Sequence, residues 1–357
     1  MMRVFQIVPR LPPAIDGLGD YAFHLAVELR ESLKCATTFI VGDPDWRGAE
    51  TGEFEIRKIR ARAADAILES MGSDSSSEPQ CAVLHYVNYA YAKRGCPLWL
   101  VEACERWSKR SPSRRLITVF HELYADGPPW KSEFWLSSVQ VHLAKKLHRL
   151  SSVSVTSLNG YAQKLAGWAR KRIVIMPVFS NVGEPAGVRP LEERGRYGVV
   201  FGGRESRRRV YERHFSDLAR TCENLQLDAI CDVGPPLNLK QDRVGRARLL
   251  QLGELRADEV STRLSNAVAG IFDYSQGRWA KSGIFAAYCA HGVIPICMSH
   301  ANSESDGITK DMYCLATETG TSRVAREASS IAARAQGWYR THTRRGCAEK
   351  IAALLNE

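Results

Sequence analysis

The sequence holds no run of about 18 consecutive apolar residues, the length a membrane-crossing helix needs. Its opening apolar stretch, Met1 to Val8, ends at Pro9-Arg10. That is too short for a secretory leader and reads as a first buried strand. Ten cysteines are present but no C-x-x-C pair, which removes the main support for zinc-ribbon or thioredoxin-like chemistry. Cys81, Cys289 and Cys297 sit in apolar runs, as free thiols of a reducing cytoplasm do. No D-x-D-like acidic pair is read at a strand end, so neither an obligatory metal nor a cofactor is expected. There is no short internal repeat.

The chain has 357 residues, 45% hydrophobic and 25% charged, enough for two globular domains. Lys+Arg exceeds Asp+Glu by 49 to 39, a formal charge of +10. Such an excess favours anionic partners such as nucleotides or an anionic membrane surface. The basic residues are dispersed and form no recognised nucleic-acid module, so nucleic acid is not expected as a partner.

Short continuous apolar runs alternate with amphipathic segments along the whole chain. Val4–Val8, Thr37–Val41, Glu53–Ile59, Ala82–Val87, Leu116–Phe120, Ser152–Thr156 and Ile173–Met176 read as strands of the first half. Helices are expected after the first glycine loop, over Ala63–Met71, Leu98–Trp107, Ser132–Leu150 and Tyr161–Trp168. Pro177 to Tyr197 is rich in proline and glycine and reads as a linker. The second half repeats the alternation, with a helix expected over Val210–Cys222 among others. Continuous apolar strands between helices imply parallel sheets covered on both faces. The expected architecture is α/β: two Rossmann-like, doubly wound domains facing a central cleft. Their expected limits are 1–178, a linker 179–197, 198–340, and a C-terminal helix 341–357, for which packing back on the N-terminal domain is one reading.

Four groups of residues carry candidate chemistry. The first is Asp16-Gly17-Leu18-Gly19-Asp20, opening a helix whose free N–H groups suit an anion. With Ala22 it matches G-x-G-x-x-A, and Asp43 follows about twenty residues on. An NAD- or FAD-dependent oxidoreductase is therefore one reading. Against it, Pro9, Pro12 and Pro13 separate the strand from the glycines. The second group is His85-Tyr86 and His121-Glu122, at the ends of two strands, where α/β folds collect functional side chains. The third is Phe201-Gly202-Gly203-Arg204, followed by Arg207, Arg208 and Arg209. Glycine permits close approach, and arginine holds a diphosphate bidentately. The fourth is Lys281-Ser282, where serine caps a helix start and lysine adds charge.

Taken in order, these motifs resemble the GT-B nucleotide-sugar glycosyltransferases, in particular the retaining group related to glycogen and sucrose-phosphate synthases. The resemblance implies a nucleotide-sugar donor on the C-terminal domain and a glycan, lipid-linked or small-molecule acceptor on the N-terminal one. It puts Gly17, Gly19, Arg204, Lys281 and Ser282 at the donor. Asp20, His85 and Tyr86 would contact acceptor or sugar, and His121 and Glu122 would be catalytic. The group's two glutamates, eight positions apart, fall at Trp279 and Ala287, neither of them acidic. A catalytically silent nucleotide-binding protein is therefore a further reading. Trp130, Phe134 and Trp135 beside Lys131, with Lys145, Lys146 and Arg149, suggest a peripheral site at the inner face of the membrane.

Overall fold

The hexapeptides RVFQIV, ATTFIV, CAVLHY and RLITVF form adjacent strands in the computed structural model, all but their first residues buried. The structure describes residues 2–14, 16–48, 52–72, 80–125, 132–299 and 304–357. The chain divides into two units. The first is Met1–Pro177 with Arg344–Glu357; the second is Val178–Thr343.

The first unit runs β1 (Arg3–Val8), α1 (Gly17–Leu33), β2 (Ala36–Val41), β3 (Glu55–Lys58), α2 (Ala64–Ser70), β4 (Cys81–Tyr86), α3 (Asn88–Tyr91), α4 (Leu98–Lys109), β5 (Arg115–Phe120), α5 (Ser132–Leu150), β6 (Val153–Thr156), α6 (Asn159–Trp168) and β7 (Arg172–Ile175). Its sheet has the order β3-β2-β1-β4-β5-β6-β7, parallel throughout. The order reverses between β1 and β4, which opens a crevice beyond their carboxyl ends.

The second unit runs β8 (Gly195–Phe201), α7 (Arg204–Arg213), α8 (Phe215–Asn224), β9 (Ala229–Val233), β10 (Arg243–Val244), β11 (Ala247–Gly253), α9 (Ala257–Ser265), β12 (Ala267–Phe272), α10 (Gly283–Ala290), β13 (Ile294–Cys297), β14 (Cys314–Leu315) and α11 (Ser322–Tyr339). Its order is β10-β11-β9-β8-β12-β13-β14, parallel except for β10. The reversal lies between β8 and β12. The last helix, α12 (Arg344–Asn356), belongs to the first unit and packs on α1.

Three expectations are corrected. The helix expected over 210–222 is two helices, broken at His214 (φ −123, ψ 23), and the first begins at Arg204, directly after Gly203. Residues 179–197 are not a free linker but part of the second unit. The Ser180 N–H donates to Tyr339 Oη (3.0 Å), the neighbouring Val178 N–H donates to the Ala280 carbonyl (2.9 Å), and Gly195–Tyr197 open β8. Arg194, buried in that segment, donates to the Arg189 and Ala267 carbonyls. The C-terminal helical segment expected from 341 begins at Arg344.

Candidate functional site

In the first unit the crevice is edged by the loop after β1 and by residues ending β4 and β5. Asp16 caps α1, its carboxylate accepting from the Leu18 N–H at 3.1 Å. Gly17 is exposed in the first turn. Gly19 is buried, and a Cβ there would lie 2.5 Å from the Arg10 carbonyl oxygen. This glycine lets the β1 loop press against the helix. Asp20 is half-buried, and burial, then the nearby Asp16 charge, pushes its carboxyl up to about 6.

His85 and Tyr86 take opposite faces of β4, as the two-residue period requires. Both are fully buried. Tyr86 packs edge-on against Phe120 in the hydrophobic core, so it does not contact an acceptor as expected. His85 is no ligand contact either. Its Nε2 lies 2.9 Å from Gln6 Oε1 and its Nδ1 lies 3.3 Å from His121 Nε2. The two imidazoles are nearly parallel, and Tyr21 packs edge-on against both. Burial holds His85 neutral, lowering it to about 3. His121 and Glu122 are half-exposed at the outer end of this chain. Sequence reasoning missed Gln6 and Tyr21; the signal for Gln6 was a lone amide inside an apolar strand, which must find a partner.

Asp43 is nearly buried after β2, and both its oxygens are engaged. Oδ2 accepts from Arg10 and Oδ1 from Arg62, each at 2.7 Å, with the Asp45 N–H also on Oδ1. A ribose hydroxyl would have to displace an arginine, which removes the support for the dinucleotide reading. Asp43-Pro44-Asp45 is itself a D-x-D spacing that the sequence reading passed over; its carboxylates face guanidinium groups.

In the second unit the crevice between β8 and β12 collects the remaining candidates. Gly202 has φ +126, and any side chain there would collide with Ile284 in the first turn of α10. The Gly-Gly-Arg turn is thereby packed onto the helix that Ser282 caps, its Oγ accepting from the Phe285 N–H at 3.2 Å. Arg204 is the first residue of α7 and is exposed, at the end where a helix attracts anions. Lys281 is half-exposed beside the cap.

The three later arginines have separate fates. Arg207 is fully buried and clamps two loops to β9: Nε donates to the Gly202 carbonyl (2.9 Å), Nη1 to Asp232 and Nη2 to the Pro235 carbonyl. Burial raises the Asp232 carboxyl even beside this guanidinium. Arg208 pairs with Glu205 and Glu212 on the helix surface. Arg209 donates to the carboxylate (2.8 Å) and carbonyl (2.9 Å) of Asp273, directly after β12, which also accepts from Ser299. Asp273 was missed by the sequence reading. A hollow of about 470 Å³ lies at the ends of β9 and β11, lined by Gly234, Pro236, Leu237, Leu239, Lys240 and Gly253 among others. The Gln251 amide pairs with both backbone groups of Leu239 and so holds the hollow's outer loop.

Trp279 and Ala287, at the positions of the two glutamates, are fully buried, Trp279 stacked on Phe285. Among the described residues no helix is long and apolar enough to cross a membrane. Trp135 is 72% exposed on α5, whereas Trp130 and Lys131 lie outside the described residues, as does the side chain of Phe134.

No family model and no curated protein matches the chain in sequence. Solved structures match it over nearly its whole length. Trehalose-6-phosphate synthase superposes with a TM-score of 0.65 at 11% identity, covering 99% of each chain. An alpha-glucosyltransferase in complex with UDP and a 13-mer DNA containing a HMU base superposes with a TM-score of 0.62 at 11% identity, again over 99% of each. An enzyme described as a UDP-N-acetylglucosamine 2-epimerase from Listeria monocytogenes gives 0.60 at 12%, over 99% and 95%. The fold is therefore GT-B, as the sequence motifs implied. The exclusion of nucleic acid is corrected: structures of this fold, matched end to end, hold DNA, one with a 13-mer and UDP and another with UDP-glucose.

Proposed function

We propose that the chain is a glycosyltransferase that takes a sugar from a nucleoside-diphosphate sugar held by its second unit. The observation carrying this reading is the convergence of the Gly202-Gly203-Arg204 turn and the Ser282-capped helix at one strand-order reversal. The diphosphate leaves as an anion, and preorganised donors aimed at developing charge lower that barrier. Arg204, Lys281 and the N–H groups opening α7 and α10 supply them without a metal. The hollow at the ends of β9 and β11 has room for the nucleoside. UDP-bound structures of the same fold support the reading, although the fold also hosts an epimerase, so the site and not the fold must carry the argument.

In the first unit, His121 and Glu122 handle the accepting hydroxyl, with Gly17 and Asp20 at the mouth of the same crevice. The acceptor is a hydroxyl-bearing glycan or lipid-linked saccharide, and DNA belongs beside these in the assay because proteins of this fold bind it. The buried Trp279 and Ala287 favour a second reading, a protein that binds nucleotide without turnover.

Release of nucleoside diphosphate from UDP-, GDP- and ADP-sugars, with and without acceptor, separates the two. Transfer should fall about hundredfold in Arg204→Ala, the usual scale for removing one such donor. Tight nucleotide binding with no release would favour the silent reading. Neither binding nor release would sink both.

A further inference from the structure

Between Glu133 and Glu184 the chain carries no Asp or Glu, although the whole sequence has 39, and in that stretch it carries seven Lys or Arg. Most of the stretch folds as α5, β6, α6 and β7, the outer side of the first sheet. Two of the cations are neutralised from elsewhere, Lys146 by Glu105 (2.6 Å) and Arg172 by Glu357. Lys145, Arg149, Arg170 and Lys171 have no ion pair among the described residues. The topology gathers them. α5 leads to the amino end of β6 and α6 to the amino end of its parallel neighbour β7, so Arg149 and the Arg170-Lys171 pair reach the same edge. Buried His148 lies there, held below its ordinary value by burial first and also by the nearby charges of Lys171 and Arg149. Lys145 sits over the Trp168 ring (5.6 Å) and Lys164 over the Tyr124 ring (4.7 Å). Cations collected without acids repel one another and call for an anionic partner.

The outward stripe of α5 continues this surface. Trp135, Val139, His142, Lys146 and Arg149 follow one another at helical spacing, all outside the core. Trp135, Val139 and Ile175 of edge strand β7 are three of the four large hydrophobic side chains exposed among the described residues. Exposed apolar groups beside an acid-free cationic stripe are the composition of a helix that lies on a bilayer. We propose that this face of the first unit, α5 with the end of α6, docks on an anionic lipid bilayer. Its cations meet the headgroup phosphates, and Trp135 and Val139 enter the headgroup boundary. A polynucleotide fits less well. It would use the cations but gain nothing from Val139, and the two rings on which bases could stack are covered by Lys145 and Lys164. The docking stands whether or not the chain transfers sugar.

Flotation of the full chain with vesicles at about 0.1 M salt, which screens charges beyond about 10 Å, tests the proposal. The chain should rise with vesicles of phosphatidylcholine and phosphatidylglycerol and stay behind with phosphatidylcholine alone. Arg149→Gln with Lys171→Gln should weaken binding about thirtyfold, since one basic residue at an anionic surface is worth about fivefold. Trp135→Ala should weaken it several-fold through the apolar share of the contact. These side chains are exposed, so thermal midpoints should not move. Arg47→Gln with Arg60→Gln removes the same charge from exposed positions after β2 and β3, at the opposite edge of the sheet, and should cost far less. No binding to the mixed vesicles overturns the proposal. An equal loss in the two double variants also overturns it, because net charge and not this face would then do the binding. Binding unmoved by Trp135→Ala overturns it too, and displacement of the vesicles by a single-stranded oligonucleotide would then assign the face to nucleic acid.

Discussion

Arg207→Met should destabilise the second unit by about 3–5 kcal/mol, the cost of stranding one member of a buried ion pair. Arg207 is 1% exposed, and its guanidinium donates to Asp232, to the Gly202 carbonyl and to the Pro235 carbonyl. Methionine keeps much of the volume but none of the donors. Asp232 would then be a buried carboxyl without its cation, and two loop carbonyls would lose their partner. Because Gly202 belongs to the candidate diphosphate turn, nucleotide affinity should weaken together with stability. Arg207→Met combined with Asp232→Leu should recover part of the loss, since an apolar pair carries no unpaired charge. Urea unfolding followed at the second unit measures this; a loss below about 1 kcal/mol would contradict the clamp.

Acid should destabilise both units well before ordinary carboxylate titration ends. His85 is lowered to about 3 and His291 to about 4, in each case chiefly by burial, from an ordinary value of 6.5. The unfolded chain takes up a proton at each near pH 6.5, whereas the native chain resists until about 3 and about 4. Stability is therefore complete above pH 6.5 and falls as the pH drops toward those lower values. Between pH 6.5 and 4.5 each histidine should cost its unit about 2–3 kcal/mol. In the first unit Asp20, raised to about 6, opposes the loss, because its native carboxyl binds a proton before the unfolded one does. In the second unit the raised carboxyl of Asp232 opposes the loss in the same way, and in the first unit His148, lowered chiefly by burial, adds to it, so a falling slope is expected of both units. His291 accepts at Nε2 from Ser261 (2.8 Å) and donates from Nδ1 to the Ala287 carbonyl (2.7 Å), and His291→Gln should flatten the slope of the second unit. Denaturant midpoints recorded across this range decide it, and a flat profile in the unaltered chain would contradict the burial argument.

The two sheets were readable in the sequence because every central strand is a continuous apolar run, the mark of a strand covered on both faces. The same property hid which side chain serves the crevice. In a strand buried on both sides the two-residue period separates faces but not exposed from buried, so His85 and Tyr86 looked equivalent. The role of Arg207 was in principle legible, and that of Arg204 was not. At 3.6 residues per turn Arg207 lies on the face of Val210 and Tyr211, both buried. Arg204, seven residues before Tyr211, shares that stripe and is exposed because it is the first residue of the helix. The 179–197 segment misled because proline and glycine mark loose and docked loops alike; its anchors, Tyr339 and the Ala267 carbonyl, are far away in sequence. Gly19 carries a constraint that its letter alone does not show, the close approach of its own chain's Arg10 carbonyl.

The most direct test is a structure of the chain with UDP. The diphosphate is expected within hydrogen-bonding distance of the backbone N–H groups after Gly202 and of the opening turn of α10, with the Arg204 guanidinium on its oxygens. A diphosphate seated elsewhere, with Arg204 directed into solvent and the first turn of α10 empty, would contradict the assignment of that turn as the place where the leaving group is held.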